Sequence, residues 1–227
     1  TNHDQELSRN FLADYCNVVH DYQLFSKLSL TMLFSYSFYV YVIKYSCLCL
    51  NILITFGGSD PQENTIKVLN SLMNVLENLN VRCIVGPSFS LSHIKKLTVI
   101  SDIYNIELVH SPENLVTHCQ WADIGICGSG TSRYEASTIG LPILFTSIYS
   151  EHDTLSQQYN SFGTSEYLGP CDNLLPQAWG DAIEKLQKDP ELYLSMVRAL
   201  ERMRQNESGS EMLAREVKKV FHIREIK

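Results

Sequence analysis

Apolar residues recur from position 51 onward in short runs that alternate with longer amphipathic segments. Runs rich in Ile, Leu and Val that stop at glycine, proline or polar residues are typical of buried strands. They predict strands at 52–56, 81–85, 106–109, 122–127, 143–146 and 166–168. Helices are predicted at 61–79, 92–103, from 111, after 131, and at 153–162, 176–188 and 189–206. Strands that alternate with helices predict an α/β, Rossmann-like fold, with a parallel sheet and helices on both faces.

The most informative stretch is 122–142, which reads ADIGICGSGTSRYEASTIGLP. Its apolar strand runs into a turn at 128–131, and the helical pattern that follows ends at Gly140. A strand that passes through a glycine turn into a helix aims free backbone N–H groups at one point, and the helix dipole adds partial positive charge there. This arrangement predicts a phosphate site. Thr131 and Glu135 lie at its mouth, where a hydroxyl and a carboxylate can reach a sugar or a ribose.

A second glycine turn follows the first predicted strand, in the sequence NILITFGGSDP at 51–61. Tight turns between a strand and a helix need glycine for backbone reasons alone, so one such turn is also consistent with an ordinary connection. Two glycine turns in one parallel sheet can face the same crevice at the carboxyl ends of the strands, which favours a ligand site. Asp60 and Pro61 predict the start of the next helix, as its N-cap and its first-turn proline.

Residues 28–50 differ from the rest of the chain and read LSLTMLFSYSFYVYVIKYSCLCL. Their length matches that of a membrane span, about 20 residues. Hydroxyl groups and the charge of Lys44 are costly in lipid, and Tyr, Phe, Val and Ile prefer strands, so buried strands are the alternative to membrane contact. We predict an irregular apolar appendage at 1–50, or a remnant of another domain, and an α/β domain at 51–227.

Length and composition fit such a folded domain, since the chain has 227 residues, of which 44% are hydrophobic and 19% are charged. A net charge of −7 argues against a nucleic-acid surface, although an anion site made of backbone N–H groups needs no basic residues. The 7 cysteines show no paired spacing, which predicts reduced thiols in the cytoplasm, with Cys83 and Cys127 buried in strands. No metal-ligand spacing occurs, and no cofactor is expected.

Three segments together resemble the C-terminal domain of GT-B-type nucleotide-sugar enzymes. They read ILITFGGSDPQENT, IELVHSPENLVTHCQWADIGICGSGTSRYEASTIGLPILF and YLG, and they fall within 51–169. The pattern is most similar to the UDP-sugar hydrolases of the pseudaminic-acid pathway and to their relatives in spore-coat polysaccharide synthesis. The resemblance implies the C-terminal half of a GT-B fold, with UDP lying across it.

The resemblance also implies which residues contact UDP. The first glycine turn would lie beside the diphosphate, and the second would cradle a phosphate. The glutamate in the helix that follows would hold the ribose hydroxyls, and the histidine at the end of the third strand would lie near the base. The implied set is Gly57, Gly58, Ser59, His110, Ser129, Gly130, Thr131 and Glu135.

Two features depart from the family's pattern. The family's catalytic histidine lies in an N-terminal domain, within a glycine–histidine turn that nothing in 1–50 matches. The Asn-Gln pair that usually follows the fifth strand is replaced here by Glu151 and His152. Either residue could act as a base that activates water, so both are candidate catalytic residues. The alternative is that they cap a helix that begins at Asp153, where acidic residues are common.

We therefore predict the nucleotide-sugar-binding half of a UDP-sugar hydrolase of surface-polysaccharide or nonulosonic-acid biosynthesis. A second hypothesis is the donor-binding subunit of a split glycosyltransferase, in which another chain supplies the acceptor site and 28–50 is a docking surface. A third is a UDP-sugar-binding module without catalysis. All three hypotheses place the protein in the cytoplasm, and peripheral membrane contact through 28–50 is the alternative.

Overall fold

A computed structural model of the chain describes residues 50–76, 79–204 and 213–218. They belong to a compact unit that begins at Leu50. The predictions for 1–49 lie outside the described residues. Leu50, with which the apolar segment 28–50 ends in the sequence analysis, is the first residue of the first strand.

Six strands pair in parallel throughout, in the order β3-β2-β1-β4-β5-β6. Their bounds are β1 Leu50–Thr55, β2 Leu79–Val85, β3 Glu107–His110, β4 Ile124–Gly128, β5 Ile143–Ser147 and β6 Ser165–Pro170. Nearly every residue of β1, β4 and β5 is buried, which is typical of strands that helices cover on both faces. The predicted α/β fold with its parallel sheet is confirmed.

Seven helices connect and cover these strands within 64–204. Their bounds are α1 Asn64–Leu72, α2 Leu91–Tyr104, α3 Val116–Trp121, α4 Ser132–Ile139, α5 Asp153–Asn160, α6 Ala178–Lys188 and α7 Pro190–Arg204. From the centre of the sheet, β1 to β3 follow one another toward one edge, and β4 to β6 follow one another toward the other edge. Because crossovers between parallel strands are right-handed, α1 and α2 lie on one face of the sheet, and α4 and α5 lie on the other. α6 packs against α1, and α7 packs against α4.

The strand order reverses between β1 and β4, which are neighbours in the sheet. Ile52 of β1 pairs with Ile124 of β4, and the pairing continues to Thr55 and Cys127. Both glycine turns therefore leave the sheet side by side at its carboxyl edge. Ligands of open α/β sheets bind at this kind of topological switch point. The two glycine turns, which would form the walls of the predicted crevice, are therefore neighbours.

The first helix begins later than predicted. The predicted bounds were 61–79, whereas α1 covers only Asn64–Leu72, and Glu63 occupies the N-cap position without a side-chain cap. Asp60 still satisfies this helix start, because its buried carboxylate accepts hydrogen bonds from the backbone N–H groups of Asn64 and Thr65. Asp60 and Glu63 both adopt left-handed backbone conformations, which makes the loop one turn longer than the Asp-Pro pattern indicates.

The helix predicted from position 111 is also shorter. Ser111 has a φ of 42°, and its N–H group donates to the carbonyl of Val85, so the chain first turns across the end of β2. α3 then starts at Val116, whose N–H donates to the Asn114 side chain. Ser111, with its left-handed backbone, thus begins a short loop at the carboxyl edge of the sheet, and this loop separates β3 from α3.

Within the described part of the chain, no helix is both long enough and apolar enough to cross a membrane. The segment for which membrane contact is an alternative, 28–50, lies outside that part except for Leu50.

Gly86 provides a test of the packing that shapes the first glycine turn. A Cβ atom at Gly86 would lie 2.4 Å from the carbonyl oxygens of both Gly57 and Gly58. Because these neighbours are backbone atoms that cannot rotate away, we expect Gly86→Ala to lower the free energy of unfolding by about 2 kcal/mol. Urea-induced unfolding followed by circular dichroism measures the change.

Gly58→Ala is the matched control, since a Cβ at Gly58 has nothing within 4 Å and its φ is not positive. Its stability should stay within about 0.5 kcal/mol of the parent chain. Equal effects of the two substitutions would show that the contact at Gly86 does not constrain the loop.

Candidate active site

The first wall of the crevice is the turn at Gly57 and Gly58, which packs against the end of β2. Gly57 has a φ of 77°, a conformation that favours glycine. The carbonyl oxygen of Gly58 accepts a hydrogen bond from the N–H of Ser88 at 2.8 Å. The carbonyls of both glycines therefore face the Gly86 turn, which only a residue without a Cβ can accommodate.

The orientation of these carbonyls determines where the turn's N–H groups point. In a trans peptide the C=O and the following N–H point in opposite directions. The N–H groups of Gly58 and Ser59 therefore point away from the Gly86 turn. Added side chains at Gly57 and Gly58 would meet open space, so a ligand can approach this backbone closely.

The second wall is the turn from β4 into α4. A Cβ at Gly128 would lie 2.4 Å from the Ile148 side chain and 3.5 Å from Phe56, so glycine leaves room for these two side chains at the start of the second turn. Ser129 is buried, whereas Gly130 and Thr131 are exposed. Thr131 occupies the N-cap position of α4 and makes no side-chain cap bond. The first N–H groups of an α-helix lack intrahelical partners, so they remain available to an anion.

A predicted catalytic residue contacts a predicted phosphate-binding residue. The Nδ1 atom of His152 lies 3.0 Å from the Ser129 hydroxyl, and either group can donate, depending on the imidazole tautomer. His152 ends a 3₁₀ turn, Ser150–His152, that follows β5. The capping interpretation is wrong for the His152 side chain, because it makes no cap bond to α5 although the residue occupies the N-cap position.

The other predicted residues lie at the same edge but farther apart. Glu135 is exposed in the first turn of α4, on the helix that would face a ribose. Glu151 is exposed beside His152, and neither an ion pair nor a hydrogen bond from its side chain occurs within the described residues. His110 is exposed at the end of β3, two strands away from β1, which is about 10 Å.

Side-chain contacts tie the β4–α4 turn and α4 to the 3₁₀ turn and α5, and of those described here only the contact between Ser129 and His152 involves residues that the sequence predicts to be functional. Below the Ser129–His152 pair, the Arg133 guanidinium donates to the Ser156 hydroxyl at 3.4 Å. Farther along, the Ser137 hydroxyl contacts the Tyr159 hydroxyl. The spacing of about one helical turn on both helices makes these contacts a regular series, which we call the α4–α5 series. It fixes the position of α5, and with it the position of His152.

Arg133 is not among the residues predicted from the sequence to be functional, although it lies in the stretch 122–142 that contains the second glycine turn. Its side chain is only 4% exposed although arginine is rarely buried. Nothing in the pattern of 128–140 distinguishes this arginine from a solvated helix residue, since its burial depends on aromatic residues from α5 and β5.

Tyr167 of β6 anchors the start of α5 from below. Its hydroxyl donates to the carboxylate of Asp153, the first residue of α5, and it contacts the Ser147 hydroxyl at 2.6 Å. Burial, followed by the hydrogen bond to Asp153, raises the pKa of Tyr167 to about 12. The phenol therefore remains a neutral donor at physiological pH and holds the first turn of α5 beside β5.

The described cysteines are free and buried, as predicted for Cys83 and Cys127. Burial raises the pKa of Cys127 to about 12 and that of Cys119 to about 11, so both thiols stay protonated and unreactive at neutral pH. No cluster of three or more His, Cys, Asp or Glu side chains that could hold a metal ion occurs in the part of the chain that the structure describes.

No protein-family model matches the chain. Two curated proteins are similar to parts of it. The uncharacterised protein MJ1062 of Methanocaldococcus jannaschii is 33% identical over 98 residues, which are 41% of this chain and 20% of that protein. The spore coat polysaccharide biosynthesis protein SpsG of Bacillus subtilis is 26% identical over 123 residues, 53% of this chain and 36% of that protein. The matched parts therefore span a fifth to about a third of these relatives.

Solved structures share the fold at low sequence identity. HepE from Anabaena, in complex with UDP-glucose, has a TM-score of 0.60 at 9% identity, over 76% of this chain and 48% of that one. The spinosyn rhamnosyltransferase SpnG has a TM-score of 0.59 at 15% identity, over 75% and 45%. WaaG, a glycosyltransferase involved in lipopolysaccharide biosynthesis, has a TM-score of 0.52 at 15% identity, over 76% and 47%. The fold is that of about half of a GT-B glycosyltransferase.

Tyr167→Phe tests the anchor beneath the site. Losing the hydroxyl leaves Asp153 and Ser147 without this partner, and we expect a cost of about 1–2 kcal/mol in unfolding free energy at pH 7. The folded-state pKa of the phenol is raised, so its contribution is fully present below pH 10 and is lost as the pH rises toward 12. The difference in unfolding free energy between the parent chain and Tyr167→Phe should therefore become smaller between pH 10 and pH 12. Urea-induced unfolding at several pH values measures this difference.

Tyr104→Phe serves as the control, because the Tyr104 side chain is 40% exposed on α2. It should change stability little at any of these pH values. If the difference in unfolding free energy between the parent chain and Tyr167→Phe stays constant from pH 9 to pH 12, the role of the protonated phenol is contradicted.

Proposed function

We propose that this chain binds the UDP moiety of a nucleotide sugar, as the donor-binding half of an enzyme of surface-polysaccharide or nonulosonic-acid biosynthesis. The observation that carries the proposal is that two glycine turns leave neighbouring strands at one switch point, the first after β1 and the second from β4 into α4. The backbone N–H groups of Gly58 and Ser59, and those that begin α4, are the proposed donors to an anion there. A diphosphate is the anion that can reach both walls at once.

The remaining residues extend the site on either side of the diphosphate. Ser129, Gly130 and Thr131 line the β4–α4 turn, and in the proposal they hold the phosphate nearest the sugar. Glu135 accepts hydrogen bonds from the two ribose hydroxyls, since a carboxylate has acceptor sites for both. His110, at the end of β3, lies toward the base.

Several features of the comparisons support this proposal. SpsG is named for spore-coat polysaccharide biosynthesis, and HepE was solved with UDP-glucose bound. The matched segments cover only part of each relative, so the proposal places the acceptor half in a further domain or a second chain. In the proposal the nucleotide-binding domain includes Leu50, the first residue of β1, and extends over 50–227, and 1–49 form its appendage. The free thiols support a cytoplasmic location, and the net charge does not favour nucleic acid as a partner.

Calorimetric titration with UDP tests the site. We expect the parent chain to bind and Glu135→Ala to bind about 10- to 100-fold more weakly, the size expected when hydrogen bonds to a charged group are lost. Glu201→Ala in α7 is the control, because Glu201 is an exposed helix glutamate outside the crevice, and it should bind like the parent.

Two results would contradict the proposal. One is the absence of UDP binding by the parent chain, and the other is equal binding by the parent and Glu135→Ala. The first would remove the nucleotide site altogether, whereas the second would remove the ribose contact only.

Hydrolysis of the UDP-sugar is the second candidate function, favoured by the contact between His152 and Ser129. In this reaction a water oxygen attacks the anomeric carbon, the bond from that carbon to the phosphate oxygen breaks, and UDP leaves. His152 would take the proton from the attacking water, and Glu151 is the neighbouring carboxylate that could replace it as base.

Release of UDP from UDP-N-acetylglucosamine, followed by chromatography, tests this candidate. His152→Asn should lower the release rate by about 100-fold or more, a typical loss for a general base, while UDP affinity changes little. His118→Asn in α3 is the control for a histidine replacement away from the crevice. Release that requires a second chain would favour the split glycosyltransferase, and binding without release under every condition would favour a non-catalytic module.

A further inference from the structure

Arg133 is a buried cation in the second residue of α4, directly after the proposed phosphate turn. Its guanidinium carbon lies 4.8 Å from the ring centres of Tyr134 and Tyr159 and 5.7 Å from that of Phe145. It donates hydrogen bonds to the hydroxyls of Tyr134 and Ser156. Three aromatic rings and two neutral hydroxyls thus surround a permanent positive charge.

This charge lacks a carboxylate partner. Among the described residues no Asp or Glu lies within ion-pair distance of Arg133, and its buried Nε atom has no hydrogen-bond partner. Burying an ion without a counter-ion is costly, and a guanidinium cannot lose its proton to avoid the cost. The aromatic faces offset part of this cost, but they carry no net charge.

The position of Arg133 in the helix increases the cost. The start of an α-helix carries partial positive charge, so a cation in the first turn is unfavourable there. A residue that only joined α4 to α5 could be neutral, as Ser137 is in the next contact of the α4–α5 series. Packing explains the shape of the side chain in this cage but does not explain its charge.

We propose that Arg133 is the counter-charge of the anion bound at the β4–α4 turn, acting from beneath the turn without touching the ligand. This inference rests on the proposed nucleotide site and adds the residue that balances its diphosphate. Arg133 follows Thr131 by two residues, and its partner Ser156 lies one helical turn after His152, which contacts Ser129. The cation therefore lies between α4 and α5, one contact farther along these helices than the Ser129–His152 pair.

Burial gives this charge a long range. Water and salt screen exposed cations, whereas a cation behind an apolar wall is screened much less. The effect of Arg133 already extends to the end of β4, where its charge acts to lower the pKa of Cys127 against the larger, opposite effect of burial. A bound diphosphate would carry the compensating negative charge that the folded chain does not supply there.

The test compares ligands that differ in charge. Calorimetry measures the affinities of UDP, inorganic pyrophosphate and uridine for the parent chain and for Arg133→Met. We expect Arg133→Met to lower the affinities for UDP and pyrophosphate by about tenfold or more. This is the size expected for a unit charge that acts across about 10 Å at an effective dielectric constant of about 20. The affinity for uridine, which is neutral, should change by less than about twofold.

Two variants separate the charge from the packing. Arg133→Lys keeps the charge but loses the planar stacking, so it should lower the melting temperature and retain the UDP-to-uridine affinity ratio. Arg82→Met removes another arginine that stacks on a ring, at 4.0 Å from Trp121, but that one is paired with Glu107. It should leave the ratio unchanged. If Arg133→Met does not fold by circular dichroism, Arg133→Gln replaces it.

Each outcome decides between the hypotheses. A parent chain that binds UDP, together with a neutral variant at position 133 that keeps the same UDP-to-uridine ratio, overturns the counter-charge and leaves the nucleotide site standing. A parent chain that binds neither UDP nor pyrophosphate overturns both. Equal weakening of uridine and UDP in Arg133→Met assigns Arg133 a purely structural role.

Discussion

The parallel pairing of β1 with β4 is the constraint on which the rest of the site depends. These strands are far apart in the sequence, and their pairing brings two glycine turns to one point at the carboxyl edge. A Cβ at Gly86 would meet the backbone carbonyls of the first turn, whereas a Cβ at Gly128 would meet the side chain of Ile148 beside the second. The first turn and the start of α4 therefore lie at neighbouring strand ends, the place where ligands of open α/β sheets bind.

Much of this arrangement can be predicted from the sequence, since apolar runs, glycine turns and helical spacing are local signals. All six strands are found within a few residues of their predicted bounds. The signal is clearest for β1, β4 and β5, because buried parallel strands read as continuous apolar runs. The start of α1 could not be predicted, because left-handed conformations at Asp60 and Glu63 lengthen the loop, and neither residue type requires them. The positions of Gly57, Ser129 and His152 follow from chain order and sheet topology.

Contacts between segments that are distant in the sequence are what the pattern cannot show. Arg133 reads as a solvated helix residue until Tyr159 of α5 and Phe145 of β5 close over it. Tyr167 reads as a core residue until its hydroxyl is seen to meet Asp153 and Ser147. Tyr167 holds the start of α5, and in our proposal Arg133 acts on the site through its charge. Such roles leave no spacing rule in a single sequence.

The bond from the Ser88 N–H to the Gly58 carbonyl has a consequence for how tightly a ligand can be held. Because this bond from the β2–α2 turn fixes the peptide group between Gly58 and Ser59, part of the entropy of ordering the loop is lost during folding rather than during binding. A ligand that meets such a pre-organised backbone retains more of its contact energy as affinity. The turn after β2, which faces away from the ligand, therefore sets how rigid a surface the ligand meets.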